Sequence, residues 1–458
     1  MLLTLRGWSR PLLAGVLAAG LCSSTIHAGQ QSGSSEPSTP SGKASTTETA
    51  GPSQGPQAGE QKKDPDLEEL RRRIDLLAAE VEALRSGEER RTPLTEEQTH
   101  LLGLGPSAAS VYERKAGVSV AGYGEMLYEN FDSADERGDG GPKGSRIDFL
   151  RAILYTGYRF NDRFIFNSEI EFEHGGEEVA IEFAYLDYRV HDNLSLRGGM
   201  LLVPLGLMNE FHEPNVFIGA RRPETERRII PSTWHENGFG AVGSAGSVSY
   251  RAYLVNGFDA SGFTAAGLRG GRQGGAEANV SDWGFAGRLD VTPIPGVFAG
   301  AGLYRGNSGQ DQFESAGIGT TIVELHAQAQ IRGFDVRGLF ARAGVDDVAS
   351  LNTALDLSGA QSVGKTLQGG YAHVGYNTLS QRGTRVNLTP YYRFEQLDTQ
   401  KEVPSGFLRN PVNDARSHTF GVEVKPIGNI VLKADYQRIS TKARTGRNQF
   451  NVALGYAF

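Results

Sequence analysis

The chain has 458 residues, a formal net charge of -7, 60 glycines and 39% apolar residues, so it exceeds one ordinary domain and its modest acidity argues against a nucleic-acid partner. Mean hydropathy is -0.35, and past the first turns of the chain no run approaches the roughly 18 apolar residues of a membrane helix. Its one cysteine, Cys22, falls in the predicted export signal, which excludes structural disulfides and a cysteine nucleophile from the mature chain.

Arg6 and Arg10 precede an apolar run from Leu12 to Leu21, and Ala28 offers a small residue for cleavage, so residues 1–28 are predicted to be a signal peptide. Leu21 before Cys22 is too large for a good lipoprotein box. Residues 29–63 are rich in Ser, Thr, Gly, Pro and Gln and cannot bury enough surface to offset chain entropy, which predicts a disordered linker. In 64–87, Leu67, Leu70, Ile74, Leu77, Val81 and Leu84 recur at spacings of three and four, the a and d positions of a short coiled coil. A single amphipathic helix lying on a barrel or membrane is the alternative. Residues 88–115 form a connector in which Thr95 and Gln98 are spaced as a capping box and Gly103 as a helix stop.

From 116 to 458 the hydrophobic period falls to two. Sixteen strands are predicted, at 116–129, 145–160, 163–174, 179–190, 194–203, 236–244, 247–258, 281–291, 297–306, 316–331, 333–343, 366–379, 383–397, 415–426, 430–441 and 447–458. Phe164, Phe166, Ile170 and Phe172 alternate with Asn167, Glu169, Glu171 and Glu173; Val386, Leu388, Tyr392 and Phe394 alternate with Arg385, Asn387, Arg393 and Glu395. Aromatics facing charges along one strand predict an apolar outer wall around a polar lumen, an all-β transmembrane antiparallel barrel. Tight connections such as Asn161-Asp162, Ala245-Gly246 and Gly333 alternate with long polar ones, and an even strand number closes the barrel without edges. The last stretch, with Phe450, Val452, Leu454, Tyr456 and Phe458 on one face, resembles the C-terminal signature of bacterial outer-membrane barrels.

The longest connection, 204–235, carries Arg221, Arg222, Glu224, Glu226, Arg227 and Arg228, a dense charged segment suited to a pore constriction that binds solute. Solvated charges on an extracellular loop are the alternative. His212-Glu213 and His235-Glu236 lack the spacing of a helical zinc motif, so no metal and no cofactor is predicted. Gly359 to Thr366 matches the P-loop pattern, but the glycines that follow suit a strand rather than the helix that chemistry requires. Within 116–458 no Gly-x-Ser-x-Gly elbow supports a hydrolase. Inward-facing charges on the predicted strands nearly balance, with Arg151, Arg159, Arg163, Arg189, Arg197, Arg251, Arg288, Arg337, Arg385, Arg393, Lys425 and Lys433 set against Glu125, Glu169, Glu171, Glu173, Asp187, Asp290, Glu324, Asp335, Glu395, Glu423 and Asp435. Any ion preference must then come from the constriction.

Val118 to Glu125, the Pro-rich third long loop ending Ile230-Pro231-Ser232-Thr233-Trp234-His235-Glu236-Asn237-Gly238, Asn256-Gly257 and Phe458 resemble the phosphate-selective porin O/P superfamily. The N-terminal heptads are similar to those of trimeric dicarboxylate-uptake porins. The resemblance implies a homotrimeric channel in the bacterial outer membrane with a periplasmic N-terminal region, in contact with outer-membrane lipid and passing small solutes. In general porins the third loop folds into the barrel and narrows it. Small anions, phosphate or carboxylates, are the solutes the loop arginines suit. The coiled coil could instead touch peptidoglycan or a periplasmic partner. An envelope anchor or adhesin, and a hydrolase with an unrecognised Ser/His pair, are the competing functions; no enzyme is expected.

Overall fold

The computed structural model describes residues 69, 72–75, 94, 96–141, 144–313 and 317–458. The predicted signal peptide 1–28 and linker 29–63 lie outside the described residues, as does most of the heptad segment 64–87, of which residues 69 and 72–75 are helical.

Sixteen strands form one closed antiparallel barrel. They are β1 Gly117–Phe131, β2 Gly144–Arg159, β3 Phe164–Glu173, β4 Glu178–His191, β5 Leu194–Leu202, β6 His235–Ala245, β7 Val248–Asn256 and β8 Trp283–Ile294. The second half is β9 Val297–Asn307, β10 Gly319–Ile331, β11 Phe334–Val345, β12 Thr366–Tyr376, β13 Asn387–Glu402, β14 Asp414–Ile427, β15 Ile430–Thr441 and β16 Gln449–Ala457. Each strand pairs with its sequence neighbours, and β1 closes on β16 in a register running from Tyr123 opposite Ala457 to Phe131 opposite Gln449. Closure pairs every ladder and leaves no edge strand.

The period of two decides which side is which. Along β16, Phe450, Val452 and Tyr456 face outward while Gln449, Asn451 and Ala453 are buried inside. Val118, Val120, Leu196, Phe239, Leu289, Val323, Leu325, Phe334, Phe340, Phe420 and Leu432 extend this apolar outer wall around the barrel. An outer face of Val, Leu and Phe around an inner face of charges inverts the layering of a soluble barrel and suits hydrocarbon.

One rim carries the tight turns. At Arg332-Gly333 both residues have positive φ, 51° and 88°, the twist that a two-residue hairpin needs and that glycine meets without a Cβ clash. The β12–β13 connection departs from expectation: β13 starts at Asn387, not 383, because the Asn377 side chain accepts from the amides of Leu379 and Leu388 and closes a longer turn. Arg385 therefore sits exposed outside the strand rather than in the lumen. Arg163 and Arg189, also expected inside, are exposed at this rim. Thr366 opens β12, so the P-loop-like segment feeds a strand and has no helix N-terminus to offer a phosphate.

Candidate functional site

Residues 203–234 fold back into the lumen. Their burial has a sequence cause: Leu205, Leu207, Met208, Phe211, Phe217, Ile218, Ile229, Ile230 and Trp234 are all at most 7% exposed, an apolar content that a solvated loop would not hold. Trp234 stacks on Phe258 with centroids 4.3 Å apart. The Asn209 side chain ties the two ends of the loop together, donating to the Val203 and Trp234 carbonyls and accepting from the Trp234 amide.

The barrel wall holds the loop through its inward charges. Lys433 Nζ donates to the Phe217 carbonyl at 2.7 Å, Arg337 to Val216 O at 2.9 Å and Arg393 to Arg221 O at 3.0 Å. Asp435 accepts from the Ala220 amide at 2.8 Å and Glu395 from the Thr225 amide at 2.6 Å. These strand charges do point inward as their alternation requires, yet they are buried against the loop backbone rather than left facing a water-filled lumen. Buried carbonyls and amides need such partners.

Above the loop, toward the rim of long loops, lies a chamber of about 470 Å³ lined by Arg146, Arg221, Arg222, Arg227, Arg228, Arg393, Arg416 and Arg447, with Glu224 and Glu395 as its carboxylates. A second cavity of about 220 Å³ shares Arg146, Arg221, Arg222, Glu224 and Arg227 with it and adds Arg151 and Arg269 together with Glu125, Glu129, Asp148 and Glu173, of which Glu129 pairs with Arg146 and Arg221. Glu224 precedes the short helix α1, Thr225–Arg228, and is ringed by cations: Arg227 at 2.7 Å, Arg228 at 2.8 Å and Arg221 at 3.8 Å. Burial alone would raise its carboxyl, but the Arg227 hydrogen bond and the three guanidinium charges hold it below the ordinary carboxylate range. The opposite effect marks Arg269, which burial and then the charges of Arg272, Arg222 and Arg227 push down to about 9. Burial is the larger cause, and the neighbouring guanidinium charges add to it.

Five of the predicted constriction residues, Arg221, Arg222, Glu224, Arg227 and Arg228, thus line one chamber. Glu226 does not. It turns away from the arginines, accepting from the Leu207 amide at 2.6 Å, the Met208 amide at 2.7 Å and Tyr371 Oη at 2.5 Å. Burial raises its carboxyl to about 7 against these hydrogen bonds.

From the rim of tight turns the connector also enters the barrel. Its helix, Glu96–Leu102, places His100 on the Phe211 ring at 4.2 Å, and Arg251 donates to the His100 carbonyl at 2.7 Å. The 3-10 turn Ala108–Glu113 presents the Ser107 and Ala108 amides to one oxygen of Glu213, at 2.8 and 3.1 Å. A cavity of about 280 Å³ at this mouth, lined by Tyr112, Arg159, Arg163, Asp187, Arg189 and Arg197 among others, shares no lining residue with the two upper ones. Loop and connector meet between them.

No family model matches the sequence. An uncharacterized protein of Aquifex aeolicus (strain VF5) is 40% identical over 372 residues, 78% of this chain and 83% of that protein. The chain belongs to that protein's family. Two solved structures share the fold: the outer membrane channel DcaP of Acinetobacter baumannii, with TM-score 0.50, 12% identity and coverage of 75% of this chain and 97% of that one, and OmpF of Salmonella typhi in complex with daunomycin, with TM-score 0.51, 10% identity and coverage of 75% and 98%. The family's barrel is therefore porin-like.

The sequence signal for insertion of the third loop is its apolar content between Leu205 and Trp234, more than its charges. Arg146, Arg416, Arg447 and Arg269 of the cavities come from β2, β14 and two other loops; no local pattern marks them, because only barrel closure brings these segments together.

Proposed function

We propose that the protein is an outer-membrane porin for passive diffusion of small solutes, weakly preferring anions such as phosphate or small carboxylates. The surplus of guanidinium groups in the chamber at the inserted loop carries this reading. Guanidinium forks match carboxylate and phosphate oxygens, and a low-dielectric wall concentrates their field. The porin-like fold, the apolar outer wall and the resemblance to the phosphate-selective porin O/P superfamily support the location and the transport class. In this reading the signal peptide 1–28 is removed on export, the linker 29–63 is periplasmic, and heptads 64–87 hold a homotrimer. In planar bilayers under a potassium chloride gradient, the wild type should reverse on the anion-selective side. Replacing Arg221, Arg222, Arg227 and Arg228 with glutamine should move reversal toward cations; an unchanged potential would remove the loop from the selectivity of the pore.

A second reading is favoured by the meeting of loop and connector below the chamber, between Glu213 and the Ser107–Ala108 amides. A barrel filled at this level would serve as an envelope anchor. It would give no conductance steps in the same bilayers.

A further inference from the structure

Below the arginine chamber the balance of charge reverses. Glu125, Glu169, Glu171 and Glu182 are each at most 5% exposed on neighbouring strands. Arg151 lies 3.3 to 3.4 Å from Glu125, Glu171 and Glu173. Arg222, the next guanidinium, donates to the His212 carbonyl at 3.3 Å. Glu169 and Glu182 are left facing the imidazole of His212, with Nε2 at 3.0 Å from Glu169 Oε1 and 3.4 Å from Glu182 Oε2.

Two features of the backbone build this group. Residue pairing between β3 and β4 slips after Glu169, which faces Phe183, so that Ile170 faces Ile181 and Glu182 is the extra residue of a bulge. The bulge turns Glu182 inward beside Phe183, against the alternation of the strand. Among the described residues neither Glu182 oxygen has a hydrogen-bond partner, nor has Glu169 Oε2. On the loop, His212 Nδ1 lies 2.9 Å from the Asn209 carbonyl. A carbonyl only accepts, so Nδ1 donates to it, and Nε2 is the nitrogen aimed at the two carboxylates, where a metal ion would take the place of its proton.

We propose that Glu169, Glu182 and His212 bind a divalent transition-metal ion, with zinc as the fitting case, and that the ion staples the inserted loop to the barrel wall. The three ligand atoms lie within 4.8 Å of one another. Metal-to-ligand distances of about 2.0 to 2.2 Å place tetrahedral ligand atoms about 3.3 to 3.6 Å apart, close to the spacing already present. An imidazole whose other nitrogen donates to a backbone carbonyl is the usual arrangement for a metal ligand. The nitrogen ligand disfavours calcium and magnesium, which take oxygen. A divalent charge also cancels both carboxylates, where one imidazolium cancels one.

His326 is the internal contrast. Its two ring nitrogens each meet a carboxylate, Asp290 at 2.7 Å and Glu324 at 2.8 Å, with Arg288 against the same Nε2 at 2.9 Å. That imidazole has no free lone pair aimed at an open position.

The test uses full-length protein folded in detergent, stripped with EDTA, loaded with zinc chloride, dialysed against metal-free buffer and measured by mass spectrometry of the metal. One zinc per chain is expected, and cobalt loading should give the visible bands of a four-coordinate site. His212→Gln and Glu182→Gln should each lower retained zinc at least tenfold, while His326→Gln retains it. Heat-modifiable mobility confirms that each variant is folded; should His212→Gln fail to fold, Glu182→Gln decides. Wild type that retains no zinc, or variants that retain as much as wild type, would overturn the site, the second result being an adventitious ion only.

Discussion

The clasp at Glu226 gives the sharpest quantitative expectation. Its carboxyl is fully enclosed, closes the turn at Leu207 and Met208, and is raised by burial from 4.5 to about 7. A carboxyl raised in the closed loop favours the proton there, so its contribution to closure is present below about pH 4.5 and is lost as pH rises through about 7. With an open-loop value near 4.5, linkage over the full range amounts to about 3 kcal/mol, and the interval from pH 6 to pH 8 alone changes the opening equilibrium about tenfold. Hydrogen exchange of the Leu207 and Met208 amides, corrected for intrinsic rate, should therefore show protection falling about tenfold between those pH values. Glu226→Gln keeps an acceptor for the two amides and a group that can donate to Tyr371 Oη, and removes the titration. Its protection should be flat with pH and exceed wild type at pH 8. A wild-type protection that stays level from pH 6 to 8, or one that drops equally in Glu226→Gln, would refute the argument.

Other consequences follow from the same contacts. Glu213→Ala removes the acceptor of the Ser107 and Ala108 amides, hydrogen bonds worth about 0.5 to 1.5 kcal/mol each, so limited proteolysis should cut residues 94–115 faster while the barrel stays intact. Leu325, 57% exposed on the outer face of β10, should tolerate phenylalanine but lose about 2 to 4 kcal/mol as arginine if it lies near mid-bilayer, read from reversible unfolding in lipid vesicles. Trp234→Ala removes a side chain 1% exposed and should cost about 3 to 5 kcal/mol, seen as increased exchange at both loop ends tied by Asn209.

Strand number and facing were written in the sequence because a barrel between lipid and polar lumen imposes a period of two on every strand, and β3, β15 and β16 obey it nearly residue by residue. Turn positions followed from Gly and Asn, whose backbone or side chain closes a hairpin locally. What the tertiary structure alone decided were encounters between segments far apart in the chain. Arg393 and Asp435 look alike, as inward charges, whether they meet water or the backbone of residues 220 and 221; only the folded loop makes them its anchors. Glu226 reads as one more constriction charge until the chain turns it from the arginines toward Tyr371. Glu182 falls on the lipid side by strict alternation, and one extra residue in the β3–β4 ladder reverses its side, because a slip of one in a period of two exchanges the faces.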